Sequence, residues 1–131
     1  MPNDPTTPAF KAISALPEIR DLIENAPDIL KADISRIKKL LADPAATLPP
    51  PIVAFTLQEA KDALALLQTH ARQLVRWRKE DISSTERAEV IRLQAIIPQI
   101  RPLIQRLIAL ATELDKRATT GSASPRKKWR H

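Results

Sequence analysis

The chain has 131 residues, with one Gly, twelve Pro and no Cys, and 21 Lys and Arg against 15 Asp and Glu. That length suits one domain with a real core. Scarce glycine leaves too few turns for a β architecture, and the lack of cysteine excludes disulfides and thiolate metal sites.

In chain order, residues 1–7 are polar and proline-broken, with neither a basic n-region nor an apolar core, so no secretory leader is expected. Thr7 before Pro8 reads as a helix cap, and the first helix is expected over 8–42. Ile13, Leu16, Ile19, Leu22, Ile23, Ile29, Leu30, Ile34, Ile37, Leu40 and Leu41 keep helical spacing there. Pro17 and Pro27 interrupt it. Pro17 is read as a kink, because Pro17-Glu18-Ile19-Arg20-Asp21-Leu22-Ile23 echoes Pro98-Gln99-Ile100-Arg101-Pro102-Leu103-Ile104 at five of seven positions. The echo is read as one local solution, a proline on the outer face of an amphipathic helix, reached twice, with internal duplication the alternative. Residues 44–55 read as a linker with polyproline at Pro49-Pro50-Pro51. Ile52, Val53 and Phe55 are too apolar for a free linker and are expected over a bundle end.

Thr56-Leu57-Gln58-Glu59 matches a capping box, and a second helix is predicted over 57–80 with Leu57, Ala60, Leu64, Leu67, Ala71 and Leu74 on its seam. Ser83-Ser84-Thr85-Glu86 is a second capping box. It opens a third helix, 84–117, whose seam is Val90, Leu93, Ile97, Ile100, Ile104, Leu107, Ala111 and Leu114. The short turn between these helices implies an antiparallel hairpin. Ile96, Leu103 and Leu110 widen the stripe enough to serve a second neighbour, and they are the expected protein interface. Pro98 and Pro102 cost roughly 3 kcal/mol each in a helix interior. Burial of the seam outweighs that, so one bent helix is expected with both prolines toward solvent. The fold class is all-α: a bundle of three long helices, the first and third proline-kinked, in a domain of residues 1–117, followed by a flexible, disordered basic tail of residues 118–131.

The net charge of +6 belongs to that tail. Residues 1–115 carry fifteen cations and all fifteen acids, and the excess is Lys116, Arg117, Arg126, Lys127, Lys128 and Arg130. Arg126, Lys127, Lys128 and Arg130 surround Trp129, a composition that attracts phosphates by counterion release and can stack on an unpaired base. A second cationic stripe, Arg72, Arg76 and Lys79 with Arg87 and Arg92 across the turn, offers a phosphate-binding tip. Against it stand the interleaved acids Glu80, Asp81, Glu86 and Glu89, and a Trp77 placed to pack in the core.

No catalytic constellation is visible: the glycine lies in the tail, and His70, at the edge of a buried face, has no carboxylate partner at helical spacing. No enzyme, cofactor, metal or small-molecule substrate is expected, and no transmembrane segment. The sequence therefore points to a cytoplasmic, non-enzymatic accessory or scaffold subunit. It packs on itself or a larger protein, as a homo-oligomer or with a protein partner, and holds nucleic acid, DNA or RNA, non-specifically. The alternative is a protein-binding adaptor, such as a chaperone, immunity factor or inhibitor, that uses an exposed apolar seam.

Overall fold

A computed structural model describes the backbone of residues 10–46 and 48–129, and side chains as far as Ala118. Three helices account for nearly all of it: α1, Leu16–Ala42, α2, Pro50–Lys79, and α3, Ser84–Trp129, with a single 3-10 turn, Ile13–Ala15, ahead of α1. The chain is all-helical among the described residues.

The third helix is the spine. Its eight seam residues are all buried, from Val90, Leu93 and Ala111 at 0% exposure to Ile97 at 7%. Repetition at three and four places them on one stripe, so each faces the core in turn. Ile96, Leu103 and Leu110 flank the stripe, half-buried against the same core. Helix α3 runs unbroken through Pro98 and Pro102, and both prolines are exposed. Their missing donors leave carbonyls one turn earlier on the solvent side, where water takes the place of the lost bond.

The capping box at Ser83 forms in full. Glu86 N–H donates to Ser83 Oγ at 3.1 Å, and Ser83 N–H donates to the Glu86 carboxylate at 2.9 Å. The Thr56 box does not form, and the expected start at 57 is corrected to Pro50. Pro50 and Pro51 occupy the first turn, where the absent N–H would be unpaired anyway and the fixed φ is already helical. Seven residues, 43–49, remain as the connection, so the polyproline linker of 44–55 is shorter than expected. Thr56 then lies inside the helix, its hydroxyl donating to the Ile52 carbonyl at 3.0 Å. The early start is held by packing: Val53 is fully buried, one heptad before Ala60, Leu67 and Leu74, which are buried too. Ile52 and Phe55 stay exposed.

The start of the first helix is corrected as well, from 8 to Leu16. Pro17 sits in its first turn and opens the helix, while Pro27 lies inside it without interrupting it. Residues 10–12 are not helical, because the backbone of Lys11 is used otherwise. Its N–H donates to Gln73 Oε1 at 2.7 Å, and its carbonyl accepts from Trp77 Nε1 at 2.9 Å and Gln73 Nε2 at 3.3 Å. Gln73 and Trp77 are buried, so these bonds satisfy polar atoms that water does not reach. An amphipathic count sees only side chains and misses a backbone strap of this kind.

Helix α3 packs against both α2 and α1, while α1 and α2 make few backbone approaches to each other. Arg92 pairs with Glu24, and Arg117 reaches the carbonyls of Leu40 and Leu41, so α1 runs in the same direction as α3. The far end of the spine is thereby covered within the chain, with Ala111 and Leu114 buried. The α3 backbone continues as helix beyond 117, where a tail is expected, through Gly121 and Pro125 to Trp129. The side chains of Arg126, Lys127, Lys128, Trp129 and Arg130 lie outside the described residues.

Candidate functional site

The helices meet the spine at doublets of apolar residues. In Leu22-Ile23, Ile29-Leu30 and Leu66-Leu67 the second member is buried, at 1, 7 and 4% exposure, and the first is left out, at 49, 58 and 51%. Adjacent residues on a helix point about 100° apart, so only one of each pair can face α3. The other three converge from α1 and α2 on a groove of about 190 Å³. Its sides are Ala26 and Ala63, and its floor is Ile100 and Ile104 of α3. Because α1 and α2 do not close on each other, an apolar surface stays open between them. The sequence signal for it was the doublets themselves, which a single-stripe reading merges into the core.

His70 borders this groove and is buried, at 8% exposure. Burial pushes its imidazole below the ordinary 6.5; Lys11 adds to the effect, and Glu18 opposes it. The folded chain therefore binds this proton less well than the unfolded chain. Stability linked to His70 is present in full above about pH 6.5 and is lost as pH falls below it. The urea midpoint of the native chain should fall more between pH 7.5 and 5.5 than that of His70→Gln, and equal slopes in the two proteins would remove His70 as the cause.

The cationic stripe at the turn is tied into the fold. Arg76 lies with Cζ 5.0 Å from the centre of the Phe10 ring and pairs with Glu80 at 3.4 Å. Arg87 donates to the carbonyls of Arg78 and Glu80, and so caps the end of α2. Arg92 bridges Glu24 and Glu89. Arg72 and Lys79 remain exposed. Trp77 is fully buried and has no face for a base. Of the expected interface residues Ile96, Leu103 and Leu110, all half-buried against the core, Leu103 borders a cleft between α1 and α3. Among the described residues no three His, Cys, Asp or Glu side chains lie together to hold a metal ion, and no helix is long and apolar enough to cross a membrane.

Fold and groove together define an all-α bundle, among the described residues, with an open apolar face between α1 and α2. No family model, curated protein or solved structure matches the chain.

Proposed function

We propose that this protein is a non-enzymatic helical subunit that assembles by taking another helix into the groove between α1 and α2. The observation that carries the reading is the half-exposed trio Leu22, Ile29 and Leu66 over a buried floor. Open contiguous apolar surface of this kind is characteristic of protein contacts. In this reading α2 and α3 form an antiparallel hairpin about residues 80–83, and the prolines inside α1 and α3 bend those helices around the core.

The occupant is a second copy. Helix α1 is charge-polar: Glu18, Asp21, Glu24 and Asp28 occupy its first half, with Arg20 the one cation among them, paired to Asp21 at 3.3 Å, and Lys31, Arg36, Lys38 and Lys39 its second, with Asp33 the one acid, paired to Arg36 at 2.8 Å. Glu18, Leu22, Asn25, Ile29 and Arg36 follow one outward stripe by their helical spacing. Two such helices packed antiparallel about a two-fold axis set the acidic end of each against the basic end of the other, with Leu22 and Ile29 between them.

Sedimentation equilibrium of the full chain tests this. A dimer of 14.6 kDa subunits is expected, reduced to monomer by Ile29→Glu, weakened by Arg36→Glu and restored by Glu18→Arg with Arg36→Glu. A chain monomeric at every concentration overturns self-association. If the monomer still binds a hydrophobic dye that Ile29→Glu displaces, the groove belongs to a different protein. The sequence-level reading, nucleic acid held non-specifically through residues 126–130, stands beside this one as a second proposal, favoured by a basic cleft on the opposite side of α1.

A further inference from the structure

Eight of the seventeen Lys and Arg residues whose side chains are described are engaged. Arg20, Arg36, Arg76, Arg92 and Lys116 pair with carboxylates. Arg78 donates to Gln94, and Arg87 and Arg117 donate to backbone carbonyls. Of the nine others, Lys11, Lys61, Arg72, Lys79 and Arg101 lie elsewhere, while Lys31, Lys38, Lys39 and Arg106 line one cleft of about 560 Å³ between the second half of α1 and the middle of α3. Ser35 stands among them, over a floor of Ile34 and Leu103. No acidic side chain lines this cleft.

Cations gathered near a helix C-terminus ordinarily complement its dipole. Here that work is done by Arg117, whose guanidinium donates to the carbonyls of Leu40 at 3.0 Å, Leu41 at 2.6 Å and Asp43 at 3.2 Å. Lys31 also lies three turns before the end of α1, beyond the reach of its terminal charge. Four like charges facing one concave space raise its potential and draw in a multivalent anion.

We infer that this cleft seats the phosphate backbone of a nucleic acid strand, with Lys31, Lys38, Lys39 and Arg106 each meeting a phosphate and Ser35 donating between them. Lys31 and Lys39 are about 12 Å apart along the helix axis, the rise of three to four nucleotides at about 3.4 Å each. A membrane surface fits less well, because none of the large apolar side chains that stand exposed lines the cleft to insert beside the charges. Helix α3 runs on from the site toward Arg126, Lys127 and Lys128. The inference takes its ligand class from the second proposal above, but assigns it to different residues.

Fluorescence anisotropy with labelled single-stranded DNA, single-stranded RNA and duplex DNA, over a salt series, separates the two. The proteins are the full chain, a cleft variant (Lys31→Gln, Lys38→Gln, Arg106→Gln) and a distal variant neutralised at Arg126, Lys127, Lys128 and Arg130. The cleft variant is expected to bind at least tenfold more weakly near 0.1 M salt, with the slope of log K against log salt shallower by about 2 for single strands. Native-like binding by the cleft variant, with loss in the distal one, overturns the cleft and leaves the nucleic-acid reading intact. No binding by the full chain at low salt overturns both. A poly-glutamate peptide binding as tightly as the oligonucleotides, and equally cleft-dependent, would overturn the assignment to phosphate.

Discussion

Replacing Trp77 with Ala is expected to lower stability by about 3–5 kcal/mol, the range for truncating a fully buried large aromatic. Trp77 is wholly inaccessible, and Leu74, Val90 and Leu93 are equally buried in the same core. Its indole N–H is also the shortest donor to the Lys11 carbonyl, at 2.9 Å. The variant therefore opens a cavity and loosens the segment before α1, leaving Gln73 as that carbonyl's donor, at 3.3 Å. With a urea m-value of about 1–3 kcal/mol/M the midpoint should drop by roughly 2 M. Trp77→Phe should lose less, since most of the ring's apolar area survives while the donor does not. A midpoint unchanged in the Ala variant would show that the strap and the end of α2 are not joined as described.

The second large effect is expected at Arg117. Its guanidinium gathers three carbonyls at the end of α1, from Leu40, Leu41 and Asp43, and it is the clasp between α1 and the far part of α3. Hydrogen bonds to a charged donor contribute about 1.5–3 kcal/mol each when buried, and partial exposure here holds the total toward one such bond. Arg117→Ala should therefore cost about 2 kcal/mol. Arg117→Lys should not recover it, because an ammonium lacks the planar fork that spans several acceptors. Hydrogen exchange gives the location: protection should fall across residues 37–43 and stay unchanged across 90–100. Uniform loss over the chain would mean that Arg117 contributes to general packing and is not a local clasp.

How much of this was legible in the chain depended on how far each feature reaches. The spine helix was readable because its heptad is carried by the residues themselves, and the Ser83 box because donor and acceptor lie three residues apart. The Thr56 box has the same pattern and misleads, since Pro50 and Pro51 can start a helix earlier and burial of Val53 favours their doing so. The class of α1 was readable, but its start was not. The bonds that hold Lys11 extended come from Gln73 and Trp77, more than sixty residues away. The cationic turn shows the same limit. Glu89, three residues before Arg92, is a partner legible in sequence, but the second, Glu24, lies on another helix. Of the candidate sites, the groove was written in the doublets but indistinguishable from a wide core stripe until the positions of α1 and α2 were known. The cleft was not legible at all, because Lys31 and Arg106 belong to helices whose pairing no local pattern fixes.

The seating of α1 chiefly on α3 has a consequence for how the chain is made. The contacts of α2 with α3 close over a short turn, whereas joining Glu24 to Arg92 closes a loop of 68 residues, and loop closure grows costlier with length. During synthesis α1 emerges first, but its only broad seat, the seam up to Leu114, is completed some seventy residues later. At about 5–20 residues per second that is an interval of roughly 4–15 s. For that time the face bound for the core stands uncovered, and of the three helices the earliest made is the last to be sheltered.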